Sequence, residues 1–213
     1  MSTDSVLDGT RQQRKERTRQ HILDAALALS TAGGLSALSL RKVAREVGIV
    51  PTAFYRHFDS IEDLGLALVD QAFVSLRAML RDVRRDTAID AMIIRSIDVV
   101  KRHVISESAH FAFIARERLA GPARVRRAIQ HELELCQREL ATDVARVPGT
   151  EEWSSEDLTL LSELIVTAMV TTAGELLEAP SGTASAAVVR RAHKRLLMVV
   201  VGAMHWESRP AAT

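Results

Sequence analysis

A chain of 213 residues with 47% hydrophobic side chains can bury a sizeable core, as one ordinary domain or as a small one joined to a larger one. Aromatics make up only 4%, with five Pro and ten Gly in a sequence dominated by Ala, Leu, Val and Arg, which argues against a strand-and-turn architecture and for helices. The net charge of +1 hides an asymmetry: from Arg11 to Arg56 nine basic side chains stand against three acidic ones, so the remainder is five charges negative.

A basic block at one end fits a nucleic-acid contact confined to the first quarter of the chain, although a solvated charged helix has the same charges. Cys136 is the single cysteine, which suits a reducing cytoplasm. The first ten residues lack the apolar core of a signal peptide, and the longest apolar run, Leu196 to Val201, is far short of the ~20 residues that span a bilayer.

In chain order, residues 1–12 are expected to be a disordered tail. A helix is predicted from Arg14 to Thr31, with Ile22, Ala25, Ala26 and Leu29 on one face, ended by Gly33 and Gly34. Ser39 is a good N-cap for a short helix, Leu40 to Val47, buried through Leu40, Val43, Ala44 and Val47. Gly48 follows where a sharp turn needs a left-handed residue, and Pro51 opens a brief helix to His57. Asp59 or Ser60, with Glu62 or Asp63 three residues on, forms a capping box for a fourth helix running to about Arg84, ~36 Å at 1.5 Å per residue. Further helices are predicted over 88–106, 108–118, 123–146, 155–178 and 185–206.

Ser39 to Phe58 reads as helix, tight turn, helix. Ala44 is small where two helices cross, and Ile49 and Phe54 plug the space between them. The exposed residues of the second helix then include Thr52, Ala53, Tyr55, Arg56 and His57. An α-helix fits the major groove, where donors, acceptors and thymine methyls identify each base pair. Thr52 suits a base or a phosphate, and Ala53 suits close approach or a thymine methyl. Tyr55 and His57 present polar tips to phosphates, and Arg56 reaches a base edge or a phosphate. Arg41 and Lys42 lie where the preceding helix crosses the DNA backbone, and the Ser39 cap leaves amides that favour a phosphate. A plain three-helix packing unit has the same spacing. The basic block, the polar exposed helix and the N-terminal position together favour DNA.

Residues 15–65 resemble the DNA-binding domain of the TetR family. The match is carried by Thr18 and the run Ile22 to Ala26, the run Leu40 to Ala44, Gly48, the run Phe54 to Phe58, and Glu62, Asp63 and Leu64. Gly65 and Leu66 depart from it, since the family more often has larger apolar residues there. The resemblance implies an all-α, TetR-like fold of about nine helices, a bacterial, cytoplasmic homodimer joined through its last two long helices, and repression of a palindromic operator until a small molecule binds the larger domain. A narrower resemblance, to the repressors of unsaturated fatty-acid synthesis and acyl desaturases, rests on the run Pro51 to Phe58, on Leu64 to Leu66, on Phe111 with Arg116 and Glu117, and on Trp206. It implies a long-chain acyl-CoA effector.

On that reading Phe111, Phe113 and Ile114 line an acyl tunnel, with Phe73, Ile97, Val100 and Val104 as further lining, while Arg116 and Arg118 meet the phosphates of the head group. Core packing accounts equally for the apolar set, and pairing with Glu117, Glu132 or Glu134 accounts for the arginines. The helices over 155–178 and 185–206 are apolar on more than one side, which favours a four-helix interface between two subunits. The scattered histidines show no zinc-like spacing, and the sequence has no nucleophile elbow, P-loop or dinucleotide fingerprint, so neither an enzyme nor a cofactor is expected. The expected domains are 13–60, the helix-turn-helix domain, and 61–213, the effector and dimerisation domain. Competing readings are a drug-efflux regulator with another apolar effector, an acyl-CoA-binding enzyme of lipid metabolism, and a membrane-surface protein.

Overall fold

The structure, a computed structural model, describes the backbone of residues 3–31, 33–83 and 89–208. Among these there are nine α-helices and no strand: α1 (Thr3–Ser30), α2 (Leu40–Val47), α3 (Pro51–Phe54), α4 (Ile61–Val83), α5 (Ile89–Ser106), α6 (Ser108–Ala120), α7 (Ala123–Val144), α8 (Ser155–Glu178) and α9 (Gly182–Met204), with a 3-10 turn at Leu35–Ala37. The all-helical expectation and its punctuation agree with this order. The expected end of the fourth helix at Arg84 and start of the fifth at residue 88 lie outside the described residues. One difference stands at the start: α1 is helical from Thr3, within the stretch expected to be disordered. That stretch contains no proline, and only Gly9 interrupts it, so nothing in its backbone chemistry stops the helix.

Cap chemistry sets several boundaries. The Ser60 hydroxyl accepts the Asp63 N–H (3.0 Å) and donates to the Asp63 carboxylate (2.6 Å), so Ser60 caps α4, with Asp63 bonded to the cap hydroxyl. Ser154 and Asp157 repeat it at α8, where Ser208 also donates to Asp157 (2.5 Å) and accepts the Ser154 N–H (2.9 Å). The Ser208 hydrogen bond is the main reason the Asp157 carboxyl is held below its ordinary range.

The contacts divide the chain into two units, Met1–Ala72 with Ala112–Ala128, and Phe73–Phe111 with Ile129–Thr213. In the first unit Ile22, Leu23, Ala26 and Leu27 of α1 are buried, together with Val43, Ala44, Phe54, Phe58, Leu64, Leu68, Phe113 and Val125. The buried face of α1 is thus turned slightly from the predicted one, with Ala25 and Leu29 only half-buried. Gly65, the departure from the family pattern, is buried because Leu35 of the 3-10 turn packs on it: a Cβ there would overlap the Leu35 side chain and stand 3.3 Å from Val125. In the second unit one core cluster gathers Val99, Val100, Val104, Leu176 and Val188, and another gathers Ile93, Ile97, Ala192 and Leu196. Glu175 of α8 accepts hydrogen bonds from Arg195 (2.5 Å) and Arg191 (3.1 Å) of α9. These hydrogen bonds, that from Arg195 first, hold its carboxyl below the usual range against the opposing effect of burial.

Candidate nucleic-acid interface

The interface is built on α2, a left-handed glycine and α3. Ser39 has an extended backbone (φ −125°, ψ 148°), and its Oγ accepts the Lys42 N–H at 3.3 Å, so the α2 N-terminus is capped as expected. Gly48 closes α2 at φ 72° and ψ 30°, a conformation cheap for glycine, and the Ile49 N–H returns to the Ala44 carbonyl at 2.9 Å. Val50 is extended (φ −73°, ψ 146°) and Pro51 begins α3, since a first-turn residue needs no N–H. The helix itself ends at Phe54, and Tyr55 to His57 continue as a turn.

Phe54 is fully buried and anchors this short segment. Its ring meets Phe58 at 5.8 Å and stands edge-on to Tyr55 at 6.1 Å, while the Arg19 guanidinium of α1 lies 5.0 Å over the Phe58 ring. With Phe54 turned inward, the rest of the segment faces out. Tyr55 keeps 58% of its surface exposed, and Ser39, Arg41, Thr52 and Arg56 are also exposed. Lys42, Ala53 and His57 are half-buried.

His57 differs from the expectation of a free polar tip. Its Nδ1 is buried with no hydrogen-bond partner, and its pKa lies below the ordinary 6.5 because of burial first, then the charges of Lys15 and Arg19; Glu16 opposes this and Arg56 adds to it. The neutral ring is therefore favoured near pH 7. The unfolded chain binds the proton more readily, so stability contributed by neutral His57 declines as pH drops below about 6.5 and through the folded-state value. Thermal melts between pH 8 and pH 5 should show a smaller acid-side loss in His57→Gln than in the wild type, and equal losses would remove His57 as a source of the acid sensitivity.

Sequence reasoning passed over Val50, which is 64% exposed beside Thr52 and Ala53. Its apolar type, next to Ile49, reads as core. The signal that it faces out was Pro51, which makes residue 50 the extended residue ahead of the helix.

The residues expected to line a ligand site fall into both units. Phe73, Ile97, Val100 and Val104 are buried in the second unit, and Phe111, partly buried, packs on the cluster of Val100 and Val104. Phe113, Ile114, Arg116 and Arg118 belong to the first unit, so the nine residues are divided between the two units. Arg116 and Arg118 are exposed, and the Arg116 side chain runs beside Gly34. Of the acids considered as their partners, Glu132 pairs with Arg77 (2.8 Å), Glu134 accepts from Gln130 (3.0 Å), and Glu117 is buried on the N–H of Leu35. The second unit has an open groove of about 640 Å³ along α5, lined by Ile94, Asp98, Lys101, Arg102 and Ile105 among others. A smaller one of about 330 Å³ between α5 and α9 includes Ile97 and His193. No group of three or more potential metal ligands occurs among the described residues.

Residues 22–68 match the family described as bacterial regulatory proteins, tetR family. Among solved structures, the fatty acid degradation regulator FadR from Bacillus halodurans is 15% identical, with 84% of this chain and 94% of that one covered at a TM-score of 0.68. The transcriptional regulator FadR from Bacillus subtilis, solved in complex with stearoyl-CoA, is 16% identical over 86% of this chain and 98% of its own, also at 0.68. A transcriptional regulator from Rhodococcus sp. Rha1 is 14% identical over 89% and 99%, again at 0.68. Residues 22–68, within the first unit, are therefore similar to the tetR family's regulatory proteins, and the chain has an all-helical TetR-like fold.

Proposed function

We propose that this protein is a ligand-responsive transcriptional repressor that binds a palindromic operator as a homodimer. The observation that carries the reading is the outward polar side of α2 and α3, held by a fully buried Phe54 within the basic end of the chain. Ser39, Arg41, Lys42, Tyr55 and Arg56 contact phosphates, supplying affinity and its salt dependence, while Thr52 and Ala53 read or approach base edges. His57, half-buried at the edge of that surface, is assigned a further phosphate contact.

Two copies join through α8 and α9. In the single chain Leu160 and Leu164 on α8, and Met198, Val201 and Met204 on α9, are exposed. By length and composition α8 is apolar enough to cross a membrane, but only 22% of its most apolar window is buried within the chain, and a second copy is what we assign to the rest.

The proposed effector is a long-chain acyl thioester, taken up in the second unit among Phe73, Ile97, Val100, Val104 and Phe111, and the target genes are those of fatty-acid metabolism. The regulator crystallised with stearoyl-CoA supports this class by likeness of fold. The effector changes operator affinity by its differential binding to two settings of the dimer.

The test begins with the full-length protein and an operator obtained by selection from random duplexes. Arg41→Ala and Tyr55→Ala should each weaken operator binding by about 1–3 kcal/mol, read by fluorescence anisotropy. If both variants bind as the wild type does, the interface lies elsewhere. Oleoyl-CoA should alter the same binding curve where free CoA does not, and identical curves with both would discard the acyl effector.

A further inference from the structure

Glu117 is a buried acid that the proposed DNA and ligand contacts leave unused. It sits near the C-terminal end of α6 and is only 2% exposed. Its Oε1 accepts the N–H of Leu35 at 2.9 Å, across 82 positions of sequence. Leu35 opens the 3-10 turn, and the residue in front of it, Gly34, has no side chain with which to cap that turn. Glu117 thus does from another helix what an N-cap side chain would do locally.

The surroundings fit this carboxylate closely. Gly34 stands at φ 70°, and a Cβ there would overlap Glu117 Oε1 and approach the Arg116 side chain at 3.1 Å. A Cβ at Gly121 would stand 2.5 Å from Glu117 Oε2. Larger residues are excluded on both sides. Leu35 itself is 2% exposed and packs on Gly65 of α4. From this turn the chain passes through Leu38 to Ser39, the cap of α2, whose first turn holds Arg41 and Lys42.

We propose that Glu117 is a positioning residue for operator recognition, fixing through the Leu35 N–H the turn from which α2 starts. A buried carboxylate tolerates few arrangements, because an unpaired charge or an unmet N–H there is costly. It therefore specifies one placement of the turn, and with it one placement of Ser39, Arg41 and Lys42. The inference rests on the DNA-binding reading of α2 and α3.

The experiment compares full-length wild type, Glu117→Ala and Glu117→Gln. Without DNA, Glu117→Ala should speed hydrogen exchange at the Leu35 amide about tenfold, while amides of α8 keep their protection. With DNA, it should lower affinity for the selected operator about tenfold and change affinity for a scrambled duplex less than about twofold, since shifted Arg41 and Lys42 side chains still meet phosphates on any duplex but no longer hold the register that base contacts need. Glu117→Gln keeps an acceptor oxygen and should recover most of both effects. If Glu117→Ala fails to fold, Glu117→Asp, one methylene short, takes its place with the same expected pattern.

Wild-type operator affinity in the alanine variant overturns the proposal. So does an equal loss on both duplexes, which marks general destabilisation, or a glutamine variant as weak as alanine. A wild-type protein that selects no sequence at all sinks the regulator reading instead, and this proposal with it.

Discussion

Phe54→Ala is expected to lower the stability of the first unit by about 3–5 kcal/mol, the range for truncating a buried phenylalanine. The reason lies in the brevity of α3, which spans only Pro51–Phe54. A helix of one turn has almost no stability from its own hydrogen bonds, so packing must supply it. Phe54 provides the centre of that packing, fully buried and in ring contact with both Tyr55 and Phe58. Without the ring, Tyr55 loses its edge contact and the turn through Arg56 and His57 loses its anchor. Urea denaturation followed by far-UV circular dichroism measures the effect, and operator binding should fall with it. A loss under about 1 kcal/mol would mean that this segment is held by something other than its aromatic centre.

The second large effect is expected at Leu164. This side chain is 57% exposed in the single chain, on the outer side of α8 with Leu160, Thr167 and Thr171 at spacings of four, three and four residues. That is one continuous helical face. If a second copy covers it, two-fold symmetry brings each substitution into the interface twice. Leu164→Glu then places a carboxylate from each copy in an apolar interface, at a cost of several kcal/mol per buried ion. The protein should sediment as a single chain of 23.4 kDa and lose tight operator binding, since one half-site contact remains. Leu119→Glu is the control, because Leu119 is 75% exposed on α6 and belongs to neither α8 nor α9. A Leu164→Glu protein that still sediments as two chains would move the interface to another face.

Most of the helical order was legible in the sequence because its signals are local. Ser39, Gly48, Pro51 and Ser60 each act on the backbone within a few residues, and each does in the structure what its chemistry requires. The outward set on α2 and α3 was legible for the same reason: once Phe54 is placed inside, helical geometry dictates the exposure of Tyr55 and Arg56. What was not legible depends on partners distant in sequence. Nothing near Glu117 announces that it caps a turn 82 positions away, so a salt bridge with a neighbouring arginine was the natural expectation. Gly65 reads as a gap in a family pattern until Leu35 is seen to occupy the space. The burial of His57 beside Lys15 and Arg19 likewise follows from how α1 meets the turn after α3, which no local pattern encodes. The nine apolar and basic residues assigned to a ligand site share helical spacing, but spacing does not tell which unit a residue joins, and they divide between the two.

The first unit is discontinuous along the chain, since Ala112–Ala128 cluster with Met1–Ala72. This bears on engineering. A chimera that borrows only the first 72 residues leaves Phe113, Glu117 and Val125 behind in the donor and opens a hole where they sat. Grafting this reading head onto a different sensor therefore calls for two crossovers rather than one junction, with the segment around residues 112–128 transplanted alongside it.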